Sequence, residues 1–322
     1  MSPSLSQAPG YDIIGDIHGH LELLTELLPK LGYRHNGHSW RHPEGRQAVF
    51  VGDLIDRGPC QVETVRCVQA MVEAGDALCC LGNHEFNAIC HALGLRTLSA
   101  TDPHHTFLKE APRGSADYHD CLHWFLTLPV WLDLPGATVV HACYDTDSMQ
   151  QLTGAGVNQD HTLDKDFYSF AIQGKNAPQG SPENKAYHAL DTLLKGRELQ
   201  LPQPYTFTDN DGRKRSRIRI RWWDTQAQTY ATIALQPGVR DLPNLPLATQ
   251  VSTCLPRHPV LVGHYWLPKD ALPAPLAPTV ACVDYSAGHG GPLACYRYCP
   301  QAPMPMLAEH FITTQTTQHW CL

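Results

Sequence analysis

No uninterrupted apolar run in the sequence approaches the roughly 20 residues that a bilayer-spanning helix needs, so no membrane partner is expected. The opening stretch MSPSLSQAPGYDIIG lacks a basic start followed by an apolar core of secretory length, which points to a soluble, cytoplasmic protein rather than an exported one. Twelve cysteines are present, yet none forms a C-x-x-C pair, so neither a zinc ribbon nor a thioredoxin-type site is indicated. In a reducing compartment these thiols stay reduced, and Cys79 and Cys80, inside an apolar run, read as core. Positive charge is not in excess either: the formal charge of −7 argues against a nucleic-acid partner. No G-x-x-x-x-G-K-[ST] pattern occurs, which argues against a kinase on the same chain, and no internal repeat suggests a solenoid.

What remains is an ordinary globular composition, 43% hydrophobic and 17% charged over 322 residues, long enough for one large α/β core. Nineteen histidines are many for this length, and imidazole is both the commonest metal ligand and a proton donor near neutral pH. The first hundred residues repeat one theme. YDIIG precedes DIHGH, after which Leu21, Leu24, Leu28 and Leu31 recur at helical spacing. QAVFVG precedes DLIDRGP, followed by Val62, Val65, Val68 and Val72. DALCCLG precedes NHE and an apolar-rich stretch to about Leu95. Such strand-loop-helix repeats predict a largely parallel sheet whose functional groups gather in the loops after the strands.

Residues 96–135 read as mostly helical, with Trp124, Phe125, Leu128 and Trp131 as core. ATVVHAC predicts a strand delivering His141, and PVLVGH one delivering His264. From about 145 to 217 the chain is polar and irregular, with one helical piece at 183–195, and reads as an insertion or cap. TFTDNDGRKRSRIRIRWW predicts a hairpin, with Asp211-Gly212 as its turn and Ile218, Ile220 and Trp222 alternating with Arg217, Arg219 and Arg221. TVACVDYSAGHGGPLACYRY predicts two strands around a Gly-rich loop.

Two divalent metal ions about 3.5–4 Å apart need several nitrogen and oxygen ligands, one carboxylate able to bridge, and open positions for water and substrate. Asp16, His18, Asp53, Asn83, His141 and His264 offer such a set, each following an apolar run. Ligation without thiolate suits manganese, iron or zinc rather than a structural zinc cage. The blocks GDIHG, GDLIDRG and GNHE, in that order with about thirty residues between them, resemble the calcineurin-like metallophosphoesterases in their phosphoprotein-phosphatase branch, and the later HA and GH elements fit the same family.

The resemblance implies an α/β fold, a four-layer α/β/β/α sandwich of two mixed sheets flanked by helices. It covers about 11–144 and 217–298, implying one metallophosphoesterase domain over 1–322 with a cap-like insertion at about 145–217 and a short C-terminal tail at about 300–322. Asp16 and His18 would ligate one metal, Asn83, His141 and His264 the other, and Asp53 would bridge them. The two ions would be manganese, with iron or zinc as alternatives. His84 would then protonate the leaving oxygen, held in its protonated orientation by Asp56, while Arg57 grips the phosphate oxygens. Arg221 would supply a second phosphate clamp, with Arg219 as the alternative on the same strand face. The implied reaction is direct attack on phosphorus by a hydroxide bridging the metals, without a covalent phosphoenzyme. Among the other histidines, His20 reads as a helix-start residue, His104 and His105 as exposed on a polar loop, and His289 equally as a loop residue or a substrate neighbour.

Departures from the eukaryotic serine/threonine phosphatases, Leu81 before GNHE, Cys143 after HA, VGHY and the late Gly-rich loop, leave the metal set intact and the substrate open. The late segment resembles bacterial relatives, including symmetrical diadenosine tetraphosphatases and the phosphatase modules of RNA-repair proteins. The expected activity is therefore phosphomonoester hydrolysis on phosphoprotein or small phosphate esters. The alternatives are symmetrical dinucleoside tetraphosphate hydrolysis and a non-catalytic regulatory scaffold of the same fold.

Overall fold

Short apolar runs that end in glycine and acidic residues give short strands here, because the chain leaves the sheet as soon as it reaches its functional loop. The structure, a computed structural model, describes residues 8–208, 214–235, 244–248, 251–301 and 304–315. Nine strands make up its two main sheets: β1 (Tyr11–Ile14), β2 (Gln47–Phe50), β3 (Ala77–Cys79), β4 (Trp131–Leu134), β5 (Ala137–Val140), β6 (Val260–Val262), β7 (Val280–Cys282), β8 (Ala294–Tyr298) and β9 (Phe311–Thr313). One sheet runs β9-β8-β1-β2-β3 and the other β7-β6-β5-β4. Both are mixed. β1, β2 and β3 are parallel, as are β5, β6 and β7, while β8, β9 and β4 pair antiparallel to their neighbours. Registers such as Ile14 beside both Phe50 and Cys295 place fully buried side chains at the sheet centre.

Helices cover the sheets as the leucine and valine spacings predict. In α1 (Leu21–Leu31) Leu24, Leu27, Leu28 and Leu31 are buried, and Gly32 ends the helix in a left-handed turn whose N–H returns to the carbonyls of Leu28 and Pro29. α2 (Gln61–Glu73) buries Val62, Val65 and Val68. α3 (Asn83–Ala92), α4 (His104–Glu110) and α5 (Ala116–Phe125) follow β3. One apolar cluster runs through both sheets and these helices, from Ala8 to Phe311.

Three readings are corrected. Residues 131–134 form strand β4, not helix, turned back onto β5 through Pro135-Gly136. The stretch after 145 is not irregular: α6 (Thr146–Ala155), α7 (Lys165–Gln173) and α8 (Pro182–Lys195) pack against the main core through Leu152, Tyr168, Leu193 and Leu194. α8 starts with Pro182 in its first turn and a Ser181 hydroxyl accepting from Asn184 N–H, and α6 with an Asp145 carboxylate accepting from Asp147 N–H. His104 is buried in α4 rather than exposed on a loop.

The hairpin is present as Phe207–Thr208 against Lys214–Arg215, with its expected turn at Asp211-Gly212 outside the described residues. Arg217–Arg219 pairs separately with Glu198–Gln200. Beneath them Leu201, Phe207, Ile218, Ile220, Tyr230 and Ile233 form a second, smaller apolar cluster.

Candidate metal centre and active site

The carboxyl ends of the parallel strands of both sheets meet at one place, where the chemistry-bearing loops interlock. Asp16 and His18 follow β1, Asp53 to Arg57 follow β2, and Asn83 opens α3 after β3. From the other sheet come His141 after β5 and His264 after β6. There is no room between the loops for even a methyl group: a Cβ on Gly82 would lie 2.2 Å from Asp53 N, and one on Gly263 2.1 Å from an Asp16 carboxylate oxygen. His18, Asp53, Asp56, Arg57, His264, Trp266 and Ser286 all have positive φ, from 49° to 86°. Such backbone strain on residues with side chains persists where the surroundings enforce it, and it clusters at functional sites.

Two groups of possible ligands share one carboxylate. His18, Asp53 and His84 offer atoms within 4.8 Å of one another, and so do Asp53, His141 and His264. Asn83 Oδ1 lies 3.1 Å from His141 Nε2 and 2.7 Å from His264 Nδ1. The imidazoles are oriented from behind: His18 Nδ1–H donates to the Ile55 carbonyl at 2.8 Å and His141 Nδ1–H to that of Val51 at 2.7 Å, which turns the other nitrogen of each inward. His18 Nε2 and His264 Nε2 are buried without a hydrogen-bond partner. Buried lone pairs left in this way, beside several carboxylates and no thiolate, fit hard or borderline divalent cations. Asp16 is buried beside them, its carboxylate accepting the His264 backbone N–H.

Electrostatics divide the groups. Burial pushes the Asp53 carboxyl up, but His141, His84 and His18 outweigh it and hold Asp53 well below the usual carboxylate range. Burial, joined by Asp284 and Asp53, pushes Asp16 well up. Burial and the nearby His84 bring His18 down to about 3, leaving it neutral. His84 goes the other way: burial opposes its charge, yet Asp53 and Asp56 lift it to about 9. Its Nδ1 is 2.5 Å from Asp56 Oδ2, and its backbone N–H donates to Asp53 Oδ1 at 2.9 Å.

Several contributors were not read from the sequence. Glu85, fully buried, accepts the N–H groups of Asp53 and Leu54 at 2.8 Å and of Gly82 at 3.2 Å, so the last residue of GNHE ties the loop after β2 to the start of α3. Asp284, after β7, accepts from Trp266 N–H at 2.7 Å and Ser286 N–H at 2.9 Å. That pair of bonds fixes Trp266 beneath Arg57, whose guanidinium carbon lies 4.0 Å from the indole centroid. His289 completes the clasp, accepting from Arg57 Nη1 at 2.7 Å. Of the strand arginines, Arg219 is half-buried and its charge pushes His264 down further than burial alone does, whereas the Arg221 side chain is exposed. His20 is bound to Glu22 rather than to the centre.

A family model described as calcineurin-like phosphoesterase matches residues 11–225. The chain belongs to the calcineurin-like phosphoesterases. It is therefore placed among metal-dependent hydrolases of phosphate esters, and its buried histidine and aspartate groups suit that chemistry. Among curated relatives, the bis(5'-nucleosyl)-tetraphosphatase PrpE (asymmetrical) of Halalkalibacterium halodurans is 50% identical over 74 residues, 23% of this chain and 30% of that protein. The protein of the same name from Oceanobacillus iheyensis is 34% identical over 139 residues, 41% of this chain and 54% of that one. The chain thus spans about half or less of these relatives. A protein serine/threonine phosphatase from Saccharomyces cerevisiae shares the fold, with a TM-score of 0.51 at 14% identity over 98% of this chain and 82% of that one. The α/β fold of two main mixed sheets flanked by helices is the phosphoesterase fold. Among the described residues, no helix is long and apolar enough to cross a membrane.

Proposed function

We propose that this phosphoesterase hydrolyses phosphate monoesters with poorly departing alkoxide groups, as a serine/threonine-phosphatase-like enzyme. The observation that carries the reading is the His84–Asp56 pair, an imidazole nitrogen 2.5 Å from a carboxylate oxygen, beside the shared Asp53. Asp16, His18, Asp53, Asn83, His141 and His264 would hold two divalent cations, manganese first among the candidates, with Asp53 common to both. The cations would supply an activated water and neutralise charge on the phosphoryl oxygens.

The rest falls to the chain's own side chains. Arg57, clasped by Trp266 and His289, presents its guanidinium fork to the phosphoryl oxygens. For the second clamp, Arg219 is favoured over Arg221 by its burial, half-buried against exposed. His84 donates the Nε2 proton to the departing oxygen, and Asp56 keeps that proton available. With cations sharing the charge of Asp53, the Asp56 part of the His84 lift remains. Such acid catalysis is worth on the order of 10²–10⁴ in rate.

A second reading, hydrolysis of dinucleoside tetraphosphates, is supported by the likeness to the two PrpE proteins. Phosphate and nucleotide release from a phosphoserine peptide, nitrophenyl phosphate and diadenosine tetraphosphate, with manganese restored to stripped protein, separates them. Peptide turnover is expected. Faster tetraphosphate cleavage would replace the first reading by the second, two ADP marking symmetrical and ATP with AMP asymmetrical cleavage. Silence on all three with metal bound would overturn both.

A further inference from the structure

Asp56 is gripped by two imidazoles, not one. His84 takes Oδ2, and the Nδ1 of His104 lies 3.1 Å from Oδ1. His104 opens α4, a helix from outside the metal-bearing loops, and only 1% of it is exposed. Its ring packs on Phe107, and its Nε2 is buried without a hydrogen-bond partner. That pattern identifies the tautomer. A proton on Nε2 would be a buried donor with nothing to receive it, so Nδ1 is the nitrogen that donates, and it points at Asp56. The Asp56 backbone N–H donates to Gln61 Oε1 at 2.5 Å, and Asp56 has a φ of 71°, so its main chain is held as well.

We propose that His104 is a positioning residue for proton donation: it occupies Oδ1 of Asp56, so that the carboxylate is held in one orientation and Oδ2 faces His84 Nδ1. The inference rests on the acid role given to His84 above. A carboxylate without this second bond could turn about its Cβ–Cγ axis and let the His84 ring tilt away from the leaving oxygen. The bland alternative is a core histidine satisfied by a convenient carboxylate. That alternative predicts a loss of stability but no dependence on the leaving group.

The test compares phenyl phosphate, a poor leaving group, with nitrophenyl phosphate on the full-length, manganese-loaded protein. His104→Leu keeps the packing volume and removes the donor. It is expected to lower kcat/KM for phenyl phosphate about 10–100-fold, against less than about threefold for the nitrophenyl ester, with metal content unchanged. His104→Asn, which places an N–H near the position of Nδ1, should restore most of the loss. His104→Gln, whose N–H falls near Nε2, should not, and it stands in should the leucine variant fail to fold. On an Asp56→Asn background, His104→Leu should cost nothing further.

Equal losses on both esters, or full additivity with Asp56→Asn, would overturn the assignment while leaving His84 as the acid. Equal losses for His84→Ala itself, run in parallel, would instead sink the acid reading and this inference with it.

Discussion

Arg57 lies over Trp266 at 4.0 Å and donates to His289 at 2.7 Å, so the fork offered to phosphate is fixed before substrate arrives. Removing the indole frees a long side chain and deletes a cation–π contact worth about 0.5–2 kcal/mol. Trp266→Ala is therefore expected to lower kcat/KM about 3–30-fold, and to weaken competitive inhibition by inorganic phosphate in parallel. Unchanged phosphate inhibition would show that the clasp does not position Arg57. Such clasps are invisible in sequence because Arg57, Trp266 and His289 lie on three separate loops. The proposed ligand residues stand out in the sequence for the opposite reason: Asp16 with His18, Asp53, Asn83, His141 and His264 each follow a short apolar strand. His104 reads as exposed on a polar loop, although Phe107, Leu108 and Ala111 continue from it at helical spacing and give the signal of a buried face.

Strands and helices were read well where the period was strong. The three βα units before residue 95 are all present, while α6 and α7 were missed and β4 was assigned to helix. α6 carries few apolar residues on a weak stripe, and β4 has only four residues before its Pro-Gly turn, too few for alternation to declare itself. The glycines separate the elements that interlock from those that do not. An alanine Cβ at Gly263 would stand 2.1 Å from Asp16 Oδ1 and 2.6 Å from Val51 Cγ2, whereas one at Gly154, inside α6, meets nothing within 4 Å. Urea unfolding should show Gly263→Ala destabilised by about 1–3 kcal/mol, and Gly154→Ala unchanged or stabilised by up to about 1 kcal/mol. Equal behaviour of the two variants would mean that the loops between the sheets give way easily.

At the scale of the whole molecule, the site joins the two sheets: Asp16, His18, Asp53 and Asn83 come from one, His141 and His264 from the other. Cations held there would act as a cross-link that exists only in the folded state. Binding of this kind stabilises by RT ln(1 + [L]/Kd), about 2.7 kcal/mol at a hundredfold excess over Kd. Stripping the metal should lower Tm by several degrees, and manganese should restore it in a concentration-dependent way. Asp53→Asn, which weakens both halves of the site, should abolish most of that dependence. A melting temperature indifferent to chelator would argue that the sheets need no such cross-link.

The place of β8 in its sheet bears on how the chain comes off the ribosome. β1 is made first but lies between β2 and β8, so one of its edges waits until residues 294–298 have emerged. Throughout that interval the nascent protein carries an unsatisfied edge of apolar residues, Tyr11, Ile13 and Ile14, which is an invitation to pair with the wrong strand. β9 then covers β8 in turn, so the sheet closes only once residues 311–313 have emerged. Nascent chains stalled between residues 264 and 294 should therefore be chaperone-dependent and aggregation-prone, even though every one of the six ligand-capable side chains has already been made.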